Sequence, residues 1–448
     1  VHAEFLARNL RPGRDSAILS PRLASDAQID ATLEAAAITP AATGRLRGQA
    51  SRVSLADLRE LMQRFLALAD ASMPADLAEL EVNPLVWTAE GPVALDALVR
   101  LASPVAEPPP PRPLARLERL LLPRSIGIVG VSRSLNPGRQ ILRNILREGF
   151  PAEQVMVVKP GLDEIEGCRC VPDVASLPEK VDLFVVCVDA SQVPDIVEGL
   201  VERDLTESLI LIAGGLGERR GTETHMARVQ AAVRRSRERP DGGLVLNGGN
   251  CLGVRSLPGR YDTMFIPEHK LSYPDTQPTP LAVVAQSGAF AVARASKLSS
   301  LNPRYLVTLG NQLDLTVGDY LHALKDDPDI QVFACYVEGF RPRDGARWLD
   351  AAAEITAGGR PVLLYRAGRT PAGQVATASH TASIAGDYAV TRALAEAAGV
   401  LVADTLEDFD DLVRLFCLLG EKEVGGLGLG ALSNAGFECV AMADNLGP

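Results

Sequence analysis

Residues 55–69 place Leu55, Leu58, Leu61, Met62, Phe65, Leu66 and Ala69 at intervals of three and four, which predicts an amphipathic helix. Two extended stretches are expected after it, over 77–82 and 93–98. Between them stands Asn83-Pro84, where proline pushes the preceding residue out of helical geometry. From residue 125 onward the pattern changes. Near-continuous apolar runs at 125–131, 155–158, 182–188, 208–213 and 243–247 read as strands, and helical stretches are expected at 139–148, 191–202 and 226–238. Strands without polar alternation belong to a parallel sheet covered on both faces. A loop over 261–280 ends this unit and the alternation restarts. Strands are expected at 281–285, 305–308, 331–337 and 361–365, with helices at 289–298, 317–325, 348–356 and 388–398. Residues 430–433 read as the opening strand of one more unit.

The run Pro108-Pro109-Pro110-Pro111-Arg112-Pro113 divides the chain. Consecutive prolines lock φ and lack N–H donors, so an exposed, semi-rigid polyproline linker is expected. The organisation is then a small N-terminal region over 1–102, a linker over 103–114, a first α/β domain over 115–275 and a second over 276–425. The start of a further α/β subdomain, cut short, occupies 426–448. The missing initial methionine suggests that the first region begins inside a larger domain.

A length of 448 residues suits two to four domains, and 47% apolar with 23% charged residues is an ordinary globular balance. The net charge of −11 argues against a nucleic-acid partner, which needs a basic face. No uncharged apolar run reaches the ~18 residues of a membrane helix. The start Val1-His2-Ala3-Glu4 has no basic segment leading into an apolar one, so no signal peptide is read and a cytoplasmic location is expected. The seven cysteines are odd in number and lie mostly in apolar runs, as free core thiols do. Cys168-Arg169-Cys170 lacks the second pair that a zinc site needs.

In the first α/β unit, Gly127-Ile128-Val129-Gly130-Val131-Ser132 leads through Asn136-Pro137-Gly138 into a helix. Such a small-residue turn presents backbone N–H groups to a phosphate, which makes Gly130, Ser132 and Gly138 candidate cofactor-binding residues. The second strand ends at Lys159 rather than at the carboxylate that an NAD ribose requires. A lysine there suits an extra phosphate, as on NADP or on the 3′-phosphate of CoA. The fifth strand runs into Asn247-Gly248-Gly249-Asn250-Cys251-Leu252-Gly253, at the carboxyl edge where open parallel sheets bind ligands. This stretch resembles the Gly-Pro-Asn-Cys-Leu-Gly loop of the CoA-binding domain in the succinyl-CoA synthetase superfamily. The resemblance implies that Asn250 and Cys251 meet CoA, with Gly249 standing where the family carries proline.

Four of the five histidines sit in unremarkable settings. His380 lies in Ala378-Ser379-His380-Thr381-Ala382-Ser383-Ile384-Ala385-Gly386, a small-residue loop that exposes an imidazole. The loop resembles the phosphohistidine loop of NDP-forming acyl-CoA synthetases. In that family, the turn matching Ser287-Gly288 opens the helix that receives the phosphoryl group, and the acid matching Glu338 orients the histidine. The chemistry suits these residue types. A neutral imidazole is a competent nucleophile near pH 7, and a carboxylate on one ring nitrogen turns the other toward phosphorus.

The N-terminal Glu79-Leu80-Glu81-Val82-Asn83-Pro84-Leu85, with Ala94-Leu95-Asp96-Ala97, resembles the end of an ATP-grasp domain, and Leu46-Arg47-Gly48 fits that pattern upstream. The resemblance implies that Asn83 and Asp96 hold the magnesium of the nucleotide, and that Glu81 steadies the phosphohistidine at a second site. Members of the family are longer at both ends, so the chain is expected to be part of a longer protein. The expected fold is α/β. It comprises a Rossmann-like CoA-binding domain and a flavodoxin-like ligase domain, preceded by the C-terminal part of an ATP-grasp domain. The implied cofactors are CoA, ATP or GTP, and Mg²⁺, with a small carboxylic acid as substrate and a homo-oligomeric assembly. Two other readings stay open. One is a non-catalytic CoA-binding regulatory module of a protein acetyltransferase type, and the other an NADP-dependent oxidoreductase.

Overall fold

The computed structural model describes residues 2–4, 16–36, 38–45, 51, 53–102, 111–218, 221–341, 343–374, 387–420, 422, 425, 426, 428, 430 and 432–445. In the N-terminal region, Ser25 with Gln28 and Ser54 with Asp57 form capping boxes that start the helices Asp26–Ala35 and Leu55–Ser72. Ile29 and Leu33 of one helix bury against Met62 and Leu66 of the other. The strand Leu77–Val82 forms as expected, but the second extended stretch divides in two. Gly91–Ala94 pairs with Leu85–Thr88, and Ala97–Leu101 pairs with Leu77–Val82. The division falls at Asp96, whose carboxylate accepts from the Ala97 N–H at 2.8 Å.

Two seven-stranded sheets make up the rest. The first runs in the order Val245–Gly248, Thr206–Leu211, Val181–Val186, Ile126–Val129, Val155–Val158, Cys168–Val171, Glu164–Ile165, parallel except at its last strand. Its central strands are mostly apolar because both faces are buried. Along Val181–Val186, Leu183 and Val185 enter one core, while Phe184 and Val186 enter the core on the opposite face. The helices Pro137–Arg147, Val193–Glu202 and Glu223–Ser236 are the crossovers.

The second sheet runs Tyr261–Asp262, Val254–Ser256, Pro303–Thr308, Thr279–Ala285, Val332–Val337, Val362–Arg366, Leu401–Val402. Ala282 and Val284 share a core with Val185 of the first sheet, so the two domains close on continuous apolar packing. Several short strands were not anticipated, among them Glu164–Ile165 and Cys168–Val171 in the first sheet and Leu401–Val402 in the second. Val254–Ser256 pairs antiparallel with Pro303–Thr308, and Tyr261–Asp262 pairs in turn with Val254–Ser256. The chain therefore enters the second sheet within a few residues of leaving the first.

One further expectation is corrected. Residues 430, 432 and 433 form no strand. Leu432 is 97% exposed, with no neighbouring strand among the described residues to pair with, and the helix Gly436–Asn445 follows. At the described end of the proline-rich linker, Pro111 is exposed. Arg112 donates to the fully buried Asp319 at 2.6 Å, which anchors the chain where the first domain begins. No helix among the described residues is long and apolar enough to cross a membrane.

Candidate functional site

The carboxyl edges of the two sheets meet. The Asn247 amide donates to the Thr308 carbonyl at 2.9 Å, and the N–H groups of Leu252 and Gly253 donate to the Thr308 hydroxyl at 2.9 and 3.0 Å. The N–H groups of Asn311 and Leu313 reach back to the carbonyls of Gly249 and Gly248 at 2.9 and 2.7 Å. A cavity of about 300 Å³ lies in this seam. Five expected site residues line it, Asn250 and Cys251 from the first domain and Ser287, Gly288 and Glu338 from the second. Gln286 and Asn311, which sequence reasoning did not single out, line it as well.

Ser287 is the N-cap of the helix Gly288–Lys297, its hydroxyl accepting from the Phe290 N–H at 3.3 Å. Gly288 and Ala289 also line the cavity, so the unpaired N–H groups and positive dipole end of the helix are available to an anion there. Gly288 permits this close approach, because a Cβ at its position would stand 2.7 Å from the Leu252 Cβ. Glu338 follows the strand Val332–Val337. Its N–H donates to the Gln286 side-chain oxygen, and its carbonyl accepts from the Arg366 guanidinium at 2.6 Å. Its carboxylate accepts from the Tyr336 hydroxyl at 3.0 Å, and the Tyr336 ring stacks on Phe290 at 4.1 Å. His380 lies outside the described residues.

Asn250 holds a left-handed backbone with φ +52°, which asparagine tolerates better than most residues, and its N–H donates to the Ala213 carbonyl at 2.8 Å. Burial pushes the Cys251 thiol up to about 12, and its sulfur donates to the Leu211 carbonyl at 3.2 Å. A thiol so held stays protonated near neutral pH and packs rather than attacks.

In the first domain, Gly130 takes φ +100°, and its carbonyl accepts from the Asn136 amide at 2.8 Å. The Asn136 side-chain oxygen accepts from the N–H groups of Ser132 at 3.2 Å and Arg139 at 2.9 Å, so two donors of the turn are engaged internally. Gly138 packs beneath the Gly130 carbonyl. Lys159, half-buried, extends the strand end, with its N–H on the Val171 carbonyl at 2.8 Å.

A second cavity of about 380 Å³ opens at the carboxyl ends of Val181–Val186 and Thr206–Leu211, lined by Asp189, Ser191, Gly214, Gly215 and His225 among others. The N–H and hydroxyl of Ser191 donate to Asp189 at 3.0 and 2.8 Å and hold its carboxyl below the usual range. Glu218 links the two cavities, accepting from the Gly215 N–H at 2.7 Å and from the Asn311 amide.

Glu81, Asn83 and Asp96 line neither cavity. Glu81 is exposed on Leu77–Val82, and the Asn83 N–H donates to the Asp96 carbonyl at 3.1 Å. The structure thus brings Asn83 and Asp96 side by side at the surface. An amide and a carboxylate oxygen fit Mg²⁺ that retains several waters. Among the described residues, no group of three or more His, Cys, Asp or Glu is placed to hold a metal. The overlooked residues carried local signals. Gln286 directly precedes Ser287, and Tyr336 stands two residues before Glu338, on the same side of its strand.

The family described as a CoA binding domain matches residues 124–256, and that described as a succinyl-CoA ligase like flavodoxin domain matches residues 278–416. The chain is 30% identical over 349 residues to the acetate–CoA ligase [ADP-forming] I subunit alpha of Pyrococcus furiosus, covering 74% of this chain and 71% of that one. It is 32% identical over 333 residues to the acetate–CoA ligase [ADP-forming] I of Archaeoglobus fulgidus, covering 73% of this chain and 45% of that one. Among solved structures, it superposes on the dinucleotide forming acetyl-coenzyme A synthetase 1 of Ca. Korarchaeum cryptofilum in complex with phosphate and ADP. The TM-score is 0.60 at 31% identity, covering 67% of this chain and 62% of that one. The chain spans about half the length of several curated relatives that it matches.

Proposed function

As this chain belongs to the NDP-forming (ADP-forming) acyl-CoA synthetases of the succinyl-CoA synthetase superfamily, we propose that it serves their acid–thiol ligase reaction. In that reaction a small carboxylic acid, CoA and ATP or GTP give acyl-CoA, NDP and phosphate, through an acyl phosphate and a phosphohistidine at His380. The observation that carries the reading is the single cavity lined by Ser287, Gly288, Glu338, Asn250 and Cys251, contributed by two domains.

Each residue has a part. The helix start at Ser287 and Gly288 holds the phosphoryl group, whose charge its N–H groups and dipole offset. The His380 imidazole gives its phosphoryl group to the substrate carboxylate and returns neutral, and the CoA thiol then attacks the acyl carbon and expels phosphate. In reverse, His380 takes the phosphoryl group from the acyl phosphate. Glu338 accepts from one ring nitrogen and steadies the charged phosphoimidazole. Cys251, protonated and packed, lends shape to the thiol end of the site. CoA runs along the carboxyl edge of the first sheet, with its phosphates near Gly130, Ser132, Gly138 and Lys159. Three strand spacings, about 14 Å, separate that turn from the Asn250 loop, and the 380 Å³ cavity lies on the way. At the N-terminal region, Asn83 and Asp96 would hold Mg²⁺, which supplies charge neutralisation to the nucleotide phosphates, and Glu81 receives the travelling histidine. The reading includes a homo-oligomer and a cytoplasmic setting.

The test is phosphoryl labelling of the full chain beside His380→Ala. One arm uses γ-labelled ATP with Mg²⁺. The other uses labelled phosphate with acetyl-, 4-hydroxybutyryl- or feruloyl-CoA, the acyl groups in the relatives' names. An acid-labile, base-stable label that disappears in the variant is expected. A wild-type chain that takes no label from either arm overturns the reading.

A further inference from the structure

We propose that Gln286 is a positioning residue that sets the direction of the Glu338 carboxylate, and through it the histidine chemistry of the cavity. The inference rests on the role given to Glu338 above and adds a residue to which no function has been assigned.

Gln286 is 3% exposed and lies between the strand Thr279–Ala285 and the helix Gly288–Lys297. Its backbone is tied into the sheet, the N–H donating to the Tyr336 carbonyl at 3.1 Å and the carbonyl accepting from the Gly310 N–H at 3.0 Å. Its side chain crosses to the end of the neighbouring strand. The Oε1 accepts from the N–H groups of both Glu338 and Gly339, the latter at 3.1 Å, and the Nε2 donates to the Gly339 carbonyl at 2.5 Å. One carboxamide therefore engages three backbone groups of two consecutive residues.

A carboxamide meets this need in a way its neighbours in size do not. One oxygen takes two N–H groups while the nitrogen returns a bond to the carbonyl of the second residue. Methionine matches its length and offers neither partner. Glutamate keeps the acceptor, loses the donor and sets a second carboxylate beside the first. The peptide planes around Glu338 are thus held at the backbone by Gln286, and the carboxylate end is held by Tyr336. A carboxylate fixed at both ends accepts a ring N–H from one direction, which selects the tautomer of the histidine it meets. Because Gln286 also precedes the helix cap Ser287, one residue sets the spacing between the phosphoryl-binding helix start and the acid.

The test uses the full chain as wild type, Gln286→Met, Glu338→Gln and the double variant. Hydrogen exchange of the peptide over 336–340 reads the backbone directly. The half-life of the phosphoenzyme, formed from labelled phosphate and the acyl-CoA that labels wild type, reads the chemistry. Gln286→Met should lose protection at 338–339 and shorten the half-life about tenfold, the scale on which partners of reacting groups act. In the Glu338→Gln background it should shorten it no further. Should Gln286→Met precipitate, Gln286→Glu takes its place with a shortened half-life expected. An unchanged half-life, or an undiminished effect without the Glu338 carboxylate, overturns the positioning role while the labelled wild type leaves the catalytic reading standing. A wild type that takes no label overturns both.

Discussion

The side-chain amide of Asn247, at the carboxyl end of the first sheet, donates at 2.9 Å to the carbonyl of Thr308, at the carboxyl end of the second. The Asn247 oxygen accepts from the Tyr320 hydroxyl at 3.0 Å, and all three residues are fully buried. Replacement of Asn247 by leucine strands a carbonyl and a hydroxyl in a dry seam. Asn247→Leu should lower stability by about 2–5 kcal/mol in urea unfolding, the cost of two unsatisfied buried groups. A loss under about 0.5 kcal/mol would show that the seam does not depend on this pair.

Gly288 and Leu252 both line the cavity and approach each other closely. Alanine favours helices over glycine by about 1 kcal/mol, so a helix position in open space would gain from Gly288→Ala. Here the added Cβ would stand 2.7 Å from the Leu252 Cβ, and the helix start must retreat. Gly288→Ala should therefore lower the melting temperature and slow phosphoryl labelling. Leu252→Ala in the same chain should recover much of the labelling. A stabilised Gly288→Ala chain with wild-type labelling contradicts the crowding.

Asp262 gives stability a pH dependence. It is wholly buried, near Arg255, Glu148 and Arg147, and burial raises its carboxyl from 3.8 to about 7. The unfolded chain loses this proton near pH 4, so between about pH 4 and 7 the folded state holds a proton that the unfolded state has released. The stability tied to this group is full below about pH 4 and falls as pH rises to about 7. Asp262→Asn keeps an acceptor for the Met264 N–H, which Asp262 now accepts at 2.7 Å, and does not titrate. Urea unfolding should find the advantage of the variant widening between about pH 5 and 7 and level above. A constant difference across that range counts against a buried, titrating Asp262.

Thiol reactivity separates packing from chemistry. Burial pushes Cys251 up to about 12 and leaves it protonated, whereas Cys439 is exposed on the helix Gly436–Asn445. Iodoacetamide near pH 8 should modify Cys439 within minutes and leave Cys251 untouched until the chain is unfolded, as read by peptide mass spectrometry. Rapid alkylation of Cys251 in the folded protein would contradict its role as packing.

Much of the architecture was legible because burial leaves a mark on composition. A strand covered on both faces is apolar at nearly every position, so Leu183 to Val186 and Val332–Val337 stand out as uninterrupted runs. The Leu55–Ser72 helix shows its buried stripe in the residues themselves. The candidate site was partly legible for a different reason. Ser287, Glu338 and Asn250 sit at strand ends, where an open α/β sheet exposes its ligand-binding edge, and a resemblance of short motifs drew attention to them. His380 and the loop around it lie outside the described residues, so its meeting with Glu338 belongs to the proposal.

The sequence by itself determined the long apolar strands and the helices between them, where the chemistry-bearing residues fall along the chain, and that two α/β units follow one another. Tertiary structure decided the rest. Val254–Ser256 and Tyr261–Asp262 carry too few residues to show a period and are strands only because partners lie beside them. Residues 430–433 look like a strand and, where described, pair with nothing. Periodicity records which face of an element is buried, whereas pairing, register and the closure of one sheet edge on another are long-range contacts between distant residues. The cavity that joins Asn250 to Glu338, and the Gln286 side chain that holds the acid in place, exist only through that closure.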